Sequence, residues 1–229
     1  MNTAVENRGY FKIKGTVGAF NFDFRDKVVL DIGSSTGGFT EFVLQNGAKK
    51  VIAVEKGSHQ MKAPLRFDPR VDLHEKTDIF DVVTETNPPE GHDQQAVAMC
   101  STEHEDLARA ARSVSGGHAA TACWSYVAMP DVIMADVSFI SLKPILKYAK
   151  ENLSTKNTDF LMMLKPQFEA KPYQLNKGIV KNEKIRREII KDFETWLKNN
   201  GFLIIKKRDN DLAGKNGNLE RFYWLKLAK

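Results

Sequence analysis

The sequence predicts an α/β protein: a mostly parallel, seven-stranded sheet with helices on both faces and an antiparallel hairpin at its C-terminal end. Three observations predict it. Short apolar runs of strand length alternate with stretches of helical spacing, the pattern of parallel strands joined by crossover helices. The first run leads straight into a glycine-rich loop, Gly33-Ser34-Ser35-Thr36-Gly37-Gly38. The last two runs are joined by a turn-rich segment, Asp209 to Asn218, that suits a hairpin.

Taken in order, residues 8–20 mix apolar and basic side chains and fit a short helix or a turn. Val28 to Ile32 is a buried-strand run. After the glycine loop, Phe39, Phe42, Val43 and Leu44 have helical spacing, and Asn46-Gly47 is a C-cap signal. Val51 to Glu55 is the second strand and Val71 to His74 the third. Asp131 to Asp136 is the fourth, followed by a helix from Phe139 to Leu153. Phe160 to Leu164 is the fifth, stopped by Lys165-Pro166. A long amphipathic helix spans Asn182 to Asn200, with Ile185, Ile189, Ile190, Phe193, Trp196 and Leu197 along one side and Gly201 at its end. Phe202 to Lys207 and Glu220 to Leu227 complete the set.

The 229 residues are 42% hydrophobic and 28% charged, which excludes disordered, collagen-like and coiled-coil classes. No apolar run reaches the roughly 18 residues that a membrane span needs. The first residues hold no apolar core of a secretory signal. Two cysteines make no disulfide framework, so a cytoplasmic location is expected.

Residues 84–129 differ from the rest. They contain no Lys, Phe or Ile, nine Ala, both Cys and three of the five His. Their two basic residues face six acidic ones, whereas the other 183 residues carry 32 basic against 23 acidic. The chain therefore reads as a single domain, 1–229, enlarged by an insertion at 84–129, in which Ala108 to Arg112 suit a helical turn. Its Lys-rich body is a candidate polyanion binder. Cys100, His104, His118 and Cys123 have spacings that zinc tolerates, but the Ala- and Ser-rich setting has no finger pattern, and no metal is expected.

The glycine loop follows a strand, opens a helix and lies where open α/β sheets bind ligands. Gly33, Ser34, Ser35, Thr36, Gly37, Gly38 and Phe39 are the candidate cofactor-binding segment, with helix N–H groups available to an anionic group. Glu55, 22 residues after Gly33, is placed to accept from two ribose hydroxyls. The spacing Gly-x-x-x-Gly-Gly lacks the middle glycine of the dinucleotide fingerprint. Asp31, just before the loop, suits a cationic amino-acid moiety better than a diphosphate. Together these favour S-adenosylmethionine over NAD.

At this point VVLDIGSSTGGFTEFVLQNGAKKVIAVEKG (28–57), DVIMADVSFISL (131–142), LKPQFEA (164–170) and GNLERFYWL (217–225) can be read together. Their order resembles the TlyA (hemolysin A) family of FtsJ-like ribosomal RNA 2′-O-methyltransferases. The resemblance implies a Rossmann-like S-adenosylmethionine-dependent methyltransferase fold and ribosomal RNA or ribosomal subunits as partners. It also implies a Lys–Asp–Lys–Glu tetrad. Asp136, Lys165 and Glu220 match three members directly. Lys12, in Asn7-Arg8-Gly9-Tyr10-Phe11-Lys12 and 19 residues before Asp31, matches the fourth with Asn7 where the family has Ser. The family commonly carries an N-terminal S4-type RNA-binding domain, which is not expected in the few residues before Arg8.

A ribose hydroxyl is a weak nucleophile and needs help as its proton leaves. A neutral lysine serves if a second cation or burial favours that form. Lys165 is the expected base, with Lys12 and Asp136 setting its protonation and Glu220 orienting a lysine or the ribose. Asp136 also helps to hold the methionine end of the cofactor. Asp78, with Ile79 beside it, is placed to accept from the adenine amino group. Taken singly, each of these residues is an ordinary surface charge or, for Asp136, a helix cap. A non-catalytic RNA-binding module of the same fold is the alternative, and the intact Asp136, Lys165 and Glu220 argue against it. A membrane-active hemolysin is disfavoured by the absence of a spanning run, and an NAD oxidoreductase by the loop spacing.

Overall fold

The computed structural model describes residues 8–84, 125–212, 214 and 217–228. Seven strands form one sheet: β1 (Val28–Ile32), β2 (Lys50–Glu55), β3 (Val71–Glu75), β6 (Val132–Ala135), β7 (Asp159–Leu164), β8 (Phe202–Asp209) and β9 (Arg221–Leu227). Their order is β3-β2-β1-β6-β7-β9-β8. Pairing is parallel from β3 through β7; β9 runs antiparallel to both β7 and β8. The C-terminal hairpin thus inserts its second strand against β7. The predicted fold class is the observed one.

The central strands β1, β6 and β7 are buried on both faces, which is why they read as unbroken apolar runs. Side chains alternate between two cores. On one face, helices α1 (Arg8–Phe20) and α2 (Gly38–Gln45) pack Ile13, Val17, Phe39 and Phe42 against Val29, Met134 and Leu161. On the other, α3 (Leu142–Asn152) and α5 (Glu183–Asn199) pack Ile145, Leu146, Phe193 and Leu197 against Leu30, Ile133 and Phe160. A single-turn helix, α4 (Pro166–Glu169), follows β7.

Four details depart from the sequence reading. Residues 8–20 form a full 13-residue helix, and its buried positions are Lys12, Ile13, Thr16, Val17 and Phe20. Placing a lysine on the buried face blurs the amphipathic pattern. Helix α3 starts at Leu142 rather than Phe139, because Phe139 has φ 67°, outside the helical region, and Ser141 caps the helix by accepting from the Lys143 N–H. Strand β9 starts at Arg221, one residue after Glu220. Finally, β4 (Val82–Thr84) and β5 (Ser125–Val127) pair in parallel as a separate two-stranded sheet. The chain at both borders of the expected insertion is therefore strand, too short for a period-two signal. The helical turn expected at Ala108 to Arg112 and the Cys100, His104, His118 and Cys123 set lie outside the described residues.

Strand order reverses at β1, which has β2 on one side and β6 on the other. A crevice opens beyond the carboxyl ends of the strands at such a point. The register sets Ile32 beside Ala135, so the chain leaves both strands side by side, into Gly33 and Asp136.

Candidate active site

A cavity of about 1060 Å³ occupies that crevice. It is lined by Asp31, Gly33, Ser34, Ser35, Thr36, Gly38 and Phe39 from the first loop, Glu55, Asp78 and Ile79 from the β2 and β3 ends, and Lys12, Asp136 and Lys165. Two predicted residues lie outside it. Gly37 faces Met61 and Leu65, and Glu220 touches the cavity residue Lys12.

The loop is held in shape by the chain itself. The N–H groups of Gly33 and Ser34 both donate to the Val54 carbonyl, at 2.9 and 3.2 Å, and the Ser35 N–H donates to Glu55 Oε2 at 2.9 Å. These three donors are committed to β2 rather than offered to an anion. Gly33 (φ 78°) lies so close to β6 that a Cβ would come within 3.1 Å of the Asp136 carbonyl oxygen. Gly37 has φ 89°, a conformation that strains any residue with a Cβ, and a Cβ there would also press on the Leu65 side chain.

Asp31 is 1% exposed, and its carboxyl is pushed up to about 7. Burial is the main cause, opposed by the Thr40 hydroxyl that donates to Oδ2 at 2.7 Å and reinforced by the nearby Asp136 charge. Among the described residues its Oδ1 has no hydrogen-bond partner, nor does the buried hydroxyl of Ser34. A buried acceptor facing a cavity without a donor is costly unless a ligand supplies one.

Glu55 accepts from the Gly57 N–H at 2.7 Å and from Gln60 Nε2 at 3.2 Å on Oε1, besides Ser35 on Oε2. A carboxylate has about four acceptor positions. One remains for a ribose hydroxyl, and a second requires Gln60 to turn away. Asp78 accepts from Lys56 Nζ at 2.8 Å and from the Phe80 N–H at 3.3 Å. Partial burial raises its carboxyl, but these two donors outweigh that and hold it below the usual range.

The four charged residues of the expected tetrad form two ion pairs. Lys12 Nζ lies 2.6 Å from Glu220 Oε2, with side chains 8% and 3% exposed. Lys165 Nζ lies 2.6 Å from Asp136 Oδ1 and donates to Ser138 Oγ at 2.8 Å. Lys12, expected to set the protonation of Lys165, is paired elsewhere: each lysine has its own carboxylate. The lysine paired with Glu220 is Lys12.

Sequence reasoning missed Gln60, Thr40, Ser138 and Phe139. Phe139 lines the cavity, is 92% exposed, and packs its ring 5.3 Å from that of Phe168. Its one available signal was an aromatic residue inside the quoted DVSFISL motif. Arg8, one helical turn before Lys12, also lines the cavity. Among the described residues no group of three His, Cys, Asp or Glu side chains could hold a metal, and no helix is long and apolar enough to cross a membrane.

Residues 5–227 match the model of the FtsJ-like methyltransferase family. YqxC of Bacillus subtilis, provisionally named an rRNA methyltransferase, is 31% identical over 215 residues, which cover 93% of this chain and 63% of YqxC. The Campylobacter jejuni 23S rRNA (cytidine-2′-O)-methyltransferase TlyA is 30% identical over 220 residues, 95% of this chain and 69% of that one. A Streptococcus thermophilus structure, provisionally called a hemolysin, superposes with a TM-score of 0.74 at 27% identity, covering 100% of this chain and 69% of that chain. The chain thus spans under two thirds of the length of YqxC.

Proposed function

This chain belongs to the FtsJ-like methyltransferase family, and on that premise we propose that it transfers a methyl group from S-adenosylmethionine to a ribose 2′-hydroxyl of RNA, in ribosomal RNA or an assembled ribosomal subunit. The observation that carries this reading is one cavity lined both by the glycine loop with Asp31 and Glu55 and by the Lys165–Asp136 pair. The name of the Campylobacter jejuni relative supports the ribose hydroxyl as acceptor.

The residues present fit the cofactor. The open Asp31 Oδ1 and the Ser34 hydroxyl are polar atoms waiting for a partner, and Asp31 suits the cationic methionine end. Glu55 has an acceptor position for the ribose, and Asp78 and Ile79 line the cavity where the adenine would lie. When bound, S-adenosylmethionine supplies a methyl group on a positively charged sulfur.

The protein's part is positional and electrostatic. Lys165 Nζ, once it has given up a proton to solvent, takes the one leaving the 2′-hydroxyl. Asp136, in contact with Nζ, stabilises the ammonium that forms, and Ser138 holds the direction of that nitrogen. Such base assistance contributes roughly 10²–10⁴ in rate. Holding oxygen, methyl and sulfur in line contributes at least as much. Lys12, fixed by Glu220 at the cavity wall, has N–H donors left over from that pair to offer the target ribose.

The test is nucleoside mass spectrometry of ribosomal RNA, and of ribosomal subunits, incubated with the pure protein and S-adenosylmethionine. A 2′-O-methylated nucleoside is expected, and its loss in Lys165→Ala. Tight cofactor binding with no ribose methylated in any RNA or subunit would overturn the proposal.

A further inference from the structure

Lys165 and Asp136 sit on different loops, one following β7 and the other following β6. Their contact requires the two loops to stay in register. Three sets of contacts run side by side between residues 136–142 and 165–169. Asp136 and Ser138 meet Lys165. Phe139 packs on Phe168. Ser141 and Leu142 meet Glu169: the Ser141 hydroxyl donates to Oε2 and the Leu142 N–H donates to Oε1, both at 2.7 Å.

The Glu169 side chain is only 4% exposed, and among the described residues its one cationic neighbour within 4 Å is Lys143 Nζ, 3.9 Å away. Its carboxylate faces the first turn of α3, where N–H groups lack partners within the helix and negative charge is favoured. Ser141 already caps that helix through the Lys143 N–H, so Glu169 is an additional tie, reaching across from another element. Lys165 is the cap residue just before α4 and Glu169 the last residue of that turn, with the Phe168 N–H donating to the Lys165 carbonyl at 2.9 Å. Anchoring one end of this single turn fixes the other.

We propose that Glu169 is a positioning residue for methyl transfer: by pinning α4 to the start of α3 it holds Lys165 against Asp136. The inference rests on the reading of Lys165 and Asp136 given above. Losing the anchor lets α4 shift, and a displacement on the order of 1 Å costs up to about a hundredfold in rate.

The experiment compares Glu169→Ala, Glu169→Gln and Ser141→Ala with the parent protein. It reads acylation of the Lys165 amine by mass spectrometry, relative to the exposed Lys49, alongside kcat, KM and the thermal midpoint. Glu169→Ala should raise Lys165 labelling several-fold and lower kcat roughly tenfold to a hundredfold, with KM for the cofactor unchanged. Glu169→Gln keeps a carbonyl oxygen for the Leu142 N–H and should stay close to the parent in both. Ser141→Ala should fall between them, and it carries the test if Glu169→Ala does not fold. A folded Glu169→Ala or Ser141→Ala with parental labelling and kcat overturns the proposal. So do equal losses in the Ala and Gln variants that merely follow the thermal midpoint. If the parent protein methylates no RNA while Lys165 is still released in Glu169→Ala, the transfer reading falls and the positioning contact stands.

Discussion

Lys165 Nζ lies 2.6 Å from Asp136 Oδ1, so two residues from separate crossover connections meet at the mouth of β6 and β7. A proton accepted by Lys165 during transfer is stabilised by a charge already in place, with no reorganisation at the moment of reaction. Lys165→Ala should therefore lower kcat by about 10²–10⁴ while leaving cofactor affinity nearly unchanged. Asp136→Asn keeps the shape but not the charge and should lose part of that rate. Calorimetry beside single-turnover kinetics checks both. A Lys165→Ala protein as fast as its parent would remove Lys165 from the chemistry.

The Lys12–Glu220 pair makes a different prediction, because both side chains are almost fully buried. Removing one partner strands the other as an uncompensated charge, a loss of about 3–5 kcal/mol, whereas replacing both is often near neutral. Urea unfolding should show Lys12→Met and Glu220→Gln each clearly destabilised and the double variant largely recovered. Activity should not recover with stability, since the lysine at the cavity wall is gone. Additive destabilisation in the double variant would mean that the pair is not coupled.

The sheet and the glycine loop were legible because β1, β6 and β7 are buried on both faces and must be apolar throughout. The limits of the reading fall at the site. Lys12 occupies a core position of α1, so a residue proposed to serve the site weakened the helical pattern around it. Phe139 sits at φ 67° and shortens α3, which its apolar spacing did not reveal. The pairing of the four charged residues was not readable at all. Lys12 and Glu220 stand at opposite ends of the chain, and only the packing of α1 against the sheet brings them together. The same is true of Glu169, whose partners are 27 and 28 residues away.

Phe139 is 92% exposed at the cavity, with a backbone conformation that few non-glycine residues adopt. An aromatic ring held out in solvent beside a proposed RNA site offers a stacking face for a base. Such stacking contributes about 1–3 kcal/mol, so Phe139→Ala should raise KM for RNA roughly fivefold to a hundredfold and leave cofactor binding and thermal midpoint nearly unchanged. Phe139→Tyr should behave like the parent. Filter binding with a short RNA and steady-state kinetics separate these outcomes. An Ala variant with parental KM would show that the ring does not touch the substrate.

Asp31 ties the site to pH. Burial raises its folded-state pKa to about 7, above the ordinary carboxylate value of 3.8. Between those values the folded protein holds a proton that the unfolded chain has released, so this group's contribution to stability falls as pH rises from about 4 to about 7 and is lowest above that. Asp31→Asn cannot ionise, yet it keeps an oxygen for the Thr40 hydroxyl. The unfolding free energy of Asp31→Asn minus that of the parent should therefore grow from pH 5 to pH 8, by an amount on the order of 2–4 kcal/mol at most. The difference between the two proteins cancels the titration of other carboxylates away from the site. Ligand binding should show the opposite preference. A cationic methionine end beside Asp31 favours the carboxylate, so S-adenosylmethionine should bind the parent more weakly as pH is lowered from 8 to 6 and Asp31→Asn with little pH dependence. Calorimetry across that range decides it: the same slope in both proteins would place the cationic group away from Asp31.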